Sequence, residues 1–589
     1  MSYLNGPRIN FWGGFQTNVC TTNNEQYDHN GQPIIDLVSS TVTSSMTDQQ
    51  ILDYFRTPTQ RQGTSYYVNG GWNYYGDHGV IFVDTKVSSS GKPGQVSTGG
   101  ALAGLPVYLL GSLDPISGEG PYGSAVMVDL DPTSSQTTQI YVGGLQIGGT
   151  DSPALLIQGD TVCHSRFLGL RMQPSGTVDA PGSCWANGTF QVTFPVSAVK
   201  RYDASIPVLK ALMEAPGIRG IVMRFAVFEC MPYMSTPELQ EDYAANHNSS
   251  NPSSGHVIGS IGPAFDGEPD TVPPGRLLQN SALGGPASGV ALVNEEASLL
   301  TLDVVSLLQK AGLRANRKNF TGTIGPNLDY GNLTVSAGGT AVATFDPLPD
   351  SYFVYGGVFD LPVDAGLPAL AANPIQLTGS GPGGSLNVTE APLRLYGDAR
   401  NIYWNEAGPA QPLSITLKAG YLGGPMPNDM VLKLSSDTPG TLPDPKFLKF
   451  PATVSIPKGA TSFSFTVSDS GGDAGFEAIN LAADSAASSG TFINFRKYPS
   501  GDLPPPPAGG IDWNYVYENV LRYFYVIFPA MSKRIPLNFE GPILGTGDVI
   551  LRRISQQYRD TTLYMPITRA MPPDRAKILE AFLKASASP

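Results

Sequence analysis

Apolar and polar residues alternate over most of the chain in short runs separated by Gly, Pro, Asp and Ser clusters, the pattern of half-buried strands joined by turns. Arg8-Ile9-Asn10-Phe11-Trp12 reads as an opening strand, Gly13-Gly14 as a break, and Phe15 to Val19 as a second strand. A short helix is predicted over Thr47–Phe55, with Thr47 and Gln50 at capping-box spacing. From Val80 to Leu145, runs such as VIFVD, LPVYLLG, AVMVDL and QIYVGGLQI predict strands and hairpins. Ile206, Leu209, Leu212 and Met213 fall at helical spacing within 203–215, ahead of a buried strand at Gly220–Phe228. The polar stretch Glu241–Gly255 reads as an exposed loop, and the apolar run Leu299–Leu308, which fits neither period cleanly, as a strand.

Toward the end the texture changes twice. Short alternating runs over 408–497 have the pattern of an immunoglobulin-like sandwich. A Pro/Gly linker follows, with four consecutive prolines at Pro504 to Pro507. Beyond it Val516, Val520, Tyr523, Phe524 and Ile527 form an apolar stripe on a helix that Asp512 can cap and Pro529 ends. A last helix begins after Pro572-Pro573. The fold class is therefore mainly β: a multidomain β-sandwich or barrel body with an immunoglobulin-like domain and a small C-terminal helical module. The expected division is 1–255, a β-rich domain with short helices; 256–405, a second β-rich domain; 406–498, the sandwich; 499–510, the linker; and 511–589, a helical module too small to bury much alone.

Composition supports this picture: 41% of residues are hydrophobic and 14% charged, with 67 Gly and 51 Pro. A net charge of −13 with no basic run argues against nucleic-acid binding. The amino terminus lacks the basic and apolar regions of a signal peptide, and no apolar run reaches membrane-spanning length, so a cytoplasmic protein without membrane contact is expected. Cys20, Cys163, Cys184 and Cys230 are scattered without CxxC spacing, the pattern of reduced thiols.

Local motifs name no reaction, and the catalytic residues stay unknown. Gly379–Gly384 satisfies GxGxxG but precedes a strand-like run, so it reads as a turn. Asp266-Gly267-Glu268-Pro269-Asp270 lacks calcium-loop spacing and reads as a solvated acidic loop, and no histidine pair has metal-site spacing, so no metal is expected. In Cys163-His164-Ser165-Arg166, His164 is the candidate cofactor ligand, against the alternative of a hydrogen-bonded structural residue. Strand neighbours face opposite ways, so Cys163 and His164 cannot both ligate one centre without a bulge. Tyr564-Met565-Pro566-Ile567-Thr568-Arg569 combines aromatic, thioether and guanidinium groups able to bind an aromatic carboxylate, with Tyr564 and Arg569 as the candidate substrate-binding residues and Arg569 holding the acid bidentately. The competing reading is a segment that pins the tail to the β body.

Several segments, in order, carry a resemblance: PRINFWGGFQTNVCTTNN, QIYVGGLQI, IVMRFAVFECMPYMSTPE, PPGRLL, YGGVFDLPV, YGDARNIYWNEAG, and a tail with Met531-Ser532-Lys533 and Tyr564 through Arg569. Together they resemble the amino-terminal half of the iminophenylpyruvate dimer synthases of the violacein pathway and of the related chromopyrrolate synthases. That resemblance implies a part in the oxidative dimerisation of imines derived from aromatic amino acids, an oxidoreductase-type coupling, with haem as a cofactor implied by the resemblance alone. In that family a ferritin-like bundle follows. Here the sequence reaches Pro589 before such a bundle, so the expectation is a separate ferritin-like or amino-acid oxidase partner. The alternative is a non-catalytic binding or assembly module.

Overall fold

The computed structural model describes the chain except residue 1 and residues 24–25, 62–63, 69–75, 77–78, 167–185, 233, 235, 247–250, 281–286, 309–328, 348–349, 444, 484–487, 490 and 587–589. It is mainly β, with several sheets and a small helical region at the C-terminal end.

Three sheets stack in the first four hundred residues. The middle one has six antiparallel strands in the order Ala186–Pro195, Ile218–Pro232, Ser253–Phe265, Arg8–Thr17, Val80–Lys92 and Gln95–Ser97. One face, with Phe11, Phe15, Phe82 and Phe225, packs on Ile140, Val142, Leu145, Leu155 and Ile157 of a five-stranded sheet built around Thr138–Ile147 and Leu155–His164. The opposite face, with Trp12, Ala226, Phe228 and Ile258, packs on an eight-stranded sheet through Leu300, Leu302, Leu361 and Val388. The five-stranded sheet is covered too, by the six-stranded sheet on one face and by the helical tail at Tyr141 on the other, which explains why Thr138–Ile147 is buried at every position, where a half-exposed strand would alternate. Buried ion pairs also cross the second interface, Arg8 with Asp360 and Arg224 with Asp303, and the Tyr3 hydroxyl donates to Asp303 at 2.6 Å.

Strands Leu393–Tyr396 through Thr491–Lys497 form two five-stranded sheets around one core that contains Trp404, Leu417, Leu432, Phe465, Ile479 and Phe495. The helical tail does not stand apart. Val516, Val520, Tyr523, Phe524 and Ile527 are all buried and share a core with Ile51 and Phe55 of the Asp48–Arg56 helix, Val126, Val128 and Tyr141 of the five-stranded sheet, and Phe476 of the sandwich. One π-helical turn at Tyr517–Leu521 interrupts the tail helix, and both Val520 and Leu521 are buried there.

Local signals behave as their chemistry dictates. Both halves of the Thr47–Gln50 capping box form, and Asp512 accepts from Tyr515 N at 2.8 Å. The glycine-rich string closes a hairpin between Ile375–Gly381 and Gly384–Ala391. The acidic loop is held by structure of its own, since Asp270 pairs with Arg219 at 2.7 Å. Among the described residues Cys20, Cys163 and Cys230 form no disulfide, and Cys184 lies outside the described residues.

Three expectations need correction. Gly13-Gly14 does not break the first strand: Arg8–Thr17 is continuous, with register shifts against Val80–Lys92. A Cβ on Gly13 would stand 2.3 Å from Thr85 Cα, so glycine is needed for close approach at the irregularity. The stretch 241–255 is not one loop, because it contains the end of a Thr236–Asn246 helix, a buried Asn251 that binds Met234 N, and the start of Ser253–Phe265. That strand continues through residue 255 as a central member of the six-stranded sheet. In the run Leu299–Leu308, only Leu299–Asp303 is a strand; Asp303 then accepts from Val305 N at 3.1 Å and the chain turns.

Candidate functional site

Strand Thr138–Ile147 presents Gln139 and Tyr141 on the face turned away from the main core, and His164 is the cross-strand partner of Gln139. Directly opposed residues in an antiparallel pair point to the same side. The sandwich approaches this face through Tyr403, whose hydroxyl accepts from Gln139 Nε2, and through Asn401, which donates to Thr137 O at 2.8 Å. The tail supplies Arg559, Tyr564 and Arg569. Three of the segments that carry the resemblance, 139–147, 396–408 and 564–569, therefore meet along one seam between sheet, sandwich and tail.

The seam is built from guanidinium groups laid on phenol rings. Arg569 Cζ lies 3.5 Å from the ring centroid of Tyr141 and 5.5 Å from that of Tyr564. Arg559 Cζ lies 4.1 Å from the Tyr403 ring and 5.3 Å from the Tyr564 ring, and its guanidinium pairs with Glu406. Tyr403 and Tyr498 stack at 6.3 Å, and the Tyr498 hydroxyl donates to Arg569 O. Arg569 is 1% exposed. Its Nη1 donates to Ile567 O at 2.6 Å, and its Nη2 to Thr561 O at 2.6 Å and Arg559 O at 3.2 Å. A φ of 52° at this residue bends the chain back on itself, a conformation that costs a non-glycine residue about 1–2 kcal/mol and persists where surrounding contacts hold it.

Burial sets the protonation states. It raises the phenols of Tyr403, Tyr498 and Tyr564 above the ordinary tyrosine range, so they remain neutral hydroxyls, and it lowers the Arg569 guanidinium somewhat. The chemistry available is cation–π attraction and hydrogen bonding, which fixes three parts of the chain against one another.

Tyr564 and Arg569 thus lie together, both buried, with the terminal nitrogens of Arg569 committed to backbone carbonyls. His164 lies on the same sheet face, directly opposite Gln139. It is 7% exposed, and burial, followed by Arg166 and Arg400, pushes its imidazole well below the usual range, so it is neutral. Cys163 points into the main core, donates to Ile140 O at 3.6 Å, and burial pushes its thiol up to about 12. The described residues here do not fit a haem. Cys163 is a thiol on the wrong face, and the cations beside His164 oppose iron. Among the described residues no three His, Cys, Asp or Glu side chains cluster as metal ligands.

Gln139, Tyr141, Tyr403, Glu406, Tyr498 and Arg559 were not singled out from sequence. Their only signal was membership of, or closeness to, the resembling segments, because cation–π partners hundreds of residues apart leave no spacing to read.

No family model matches the chain. Among solved structures, a glycosyl hydrolase family 2 member from Bacteroides cellulosilyticus is similar at a TM-score of 0.15 and 11% identity, over 38% of this chain and 28% of that one. A calcium-stabilised ice-binding adhesin of an Antarctic bacterium gives 0.10 and 11%, over 61% and 81%. At these TM-scores neither defines the fold of this chain. Among curated proteins, the 2-imino-3-(indol-3-yl)propanoate dimerase of Chromobacterium violaceum is 22% identical over 99% of this chain and 58% of its own length. Among the described residues, no helix is long and apolar enough to cross a membrane. The chain is therefore a distant relative, from end to end, of a protein substantially longer than itself.

Proposed function

We propose that this chain is the β-rich body of a system in secondary metabolism that oxidatively couples imines derived from aromatic amino acids, with the redox step carried by a ferritin-like or oxidase partner. The observation that carries this reading is the similarity to the imine dimerase across 99% of the chain. The meeting of three resembling segments in one buried seam supports it, because the residues they share then have a common structural task. In this reading Tyr564 and Arg569 position the tail, and the substrate is a small aromatic imino acid met elsewhere on the assembly.

A second reading, an assembly module without activity, is favoured by the way Arg569 spends its terminal N–H groups inside the protein. The two separate in one experiment. The purified chain is incubated with tryptophan and an L-amino-acid oxidase, with and without a ferritin-like partner, and products are followed by mass spectrometry. Coupled imine dimer that depends on this chain is the expected result. Its absence under both conditions refutes the first reading.

A further inference from the structure

Where the five-stranded sheet meets the sandwich, buried positive charge is left over. Arg166 donates to Thr271 O at 3.2 Å, Thr271 Oγ1 at 2.5 Å and Gly397 O at 2.8 Å. Arg394, 5% exposed, donates to Gly275 O and Pro273 O, each at 2.8 Å, and lies 4.3 Å from the Tyr396 ring centroid. Arg400, 6% exposed, donates to Phe492 O at 3.1 Å and lies 3.4 Å from the Phe492 ring centroid. All three are served by neutral acceptors. Asp398, the carboxylate that acts on Arg166, is itself engaged by Asp270 N at 3.0 Å, Thr271 N at 2.8 Å and Thr271 Oγ1 at 2.9 Å.

Two N-bearing positions at this junction are buried without a partner among the described residues, Arg400 Nε and His164 Nδ1. The two side chains lie close enough for the Arg400 charge to act on His164, and the residue after each bonds the chain where the neighbouring strand begins: Ser165 N donates to Thr138 O at 2.9 Å, and Asn401 Nδ2 to Thr137 O at 2.8 Å. A neutral imidazole can carry its proton on Nδ1 and donate. A buried donor left unsatisfied costs free energy, and a buried uncompensated cation costs more. Burial and the neighbouring Arg166 both depress Arg400, which agrees with an excess of positive charge.

We propose that this junction binds one small monovalent anion of chloride type, held by Arg400 Nε and His164 Nδ1 beneath the field of Arg166. A monatomic anion neutralises charge and satisfies both donors while demanding the least room. Occupation would tie the Leu155–His164 strand to the turn that enters Asn401–Trp404 of the sandwich.

The test is diffraction from crystals of the full chain grown or soaked in sodium bromide, together with thermal unfolding in chloride, bromide or gluconate at one ionic strength. The expected results are an anomalous peak within hydrogen-bonding distance of Arg400 and His164, and a Tm that climbs with halide but not with gluconate, as mass action requires of a ligand bound only by the folded state. In Arg400→Met and His164→Phe the halide dependence is expected to vanish even if both variants are less stable. No peak at the junction, or a Tm indifferent to the anion, overturns the proposal, and the wild-type crystal decides it should the variants fail to fold.

Discussion

Replacing Arg569 by methionine removes the guanidinium that binds the tail to the five-stranded sheet while leaving a side chain of similar length. Three carbonyls, of Ile567, Thr561 and Arg559, lose a charged donor inside the protein, and Tyr141 loses a cation 3.5 Å from its ring centroid. A stranded buried acceptor costs about 1–3 kcal/mol, and a desolvated cation–π contact is worth about 2 kcal/mol. Against these losses, the variant no longer keeps a guanidinium out of water, a gain of several kcal/mol. The net expectation is a loss of about 3 kcal/mol, local to the tail. At about 1.4 kcal/mol per factor of ten, the tail-detached population rises roughly 100-fold. Hydrogen exchange read by mass spectrometry should therefore show the amides of 516–527 losing protection by about that factor while those of Ser253–Phe265 keep theirs. Unchanged protection of the tail would refute the idea that Arg569 latches it.

Glu390→Gln should lower stability by roughly 3 kcal/mol in thermal unfolding, because Arg276 then keeps a buried charge with no carboxylate facing it. Cys163, a buried thiol raised to about 12, should resist a thiol reagent at pH 8 in the native protein and react on unfolding, which peptide mapping of the labelled protein checks. Asp131 is buried, and desolvation raises its pKa in the folded state. Its favourable contribution is therefore present below the unfolded carboxyl pKa and is lost as pH rises through the folded value. Asp131→Asn should accordingly be more stable than the parent at pH 7, with the difference shrinking toward acid pH in parallel urea titrations.

Signals that depend on neighbours in the chain were legible in the amino-acid sequence: the Thr47–Gln50 capping box, the Asp512 cap, the turn at Gly379–Gly384 and the stripe from Val516 to Ile527. Each rests on contacts a few residues long, so local spacing contains the physics. The mainly β class follows in the same way from alternation and turn residues. What the sequence could not tell was which strands are covered on both faces, and so the stacking of three sheets was decided by tertiary contacts. Gly13 shows the limit: in sequence it marks a break, and only the approach of Thr85 reveals it as a contact point within one strand. The seam lies beyond the same limit. Arg569 and Tyr141 are 428 positions apart by their numbering, and nothing in either segment specifies the other. Only the folding of sheet, sandwich and tail onto one face, driven by the apolar surface each must bury, brings the cation to the ring.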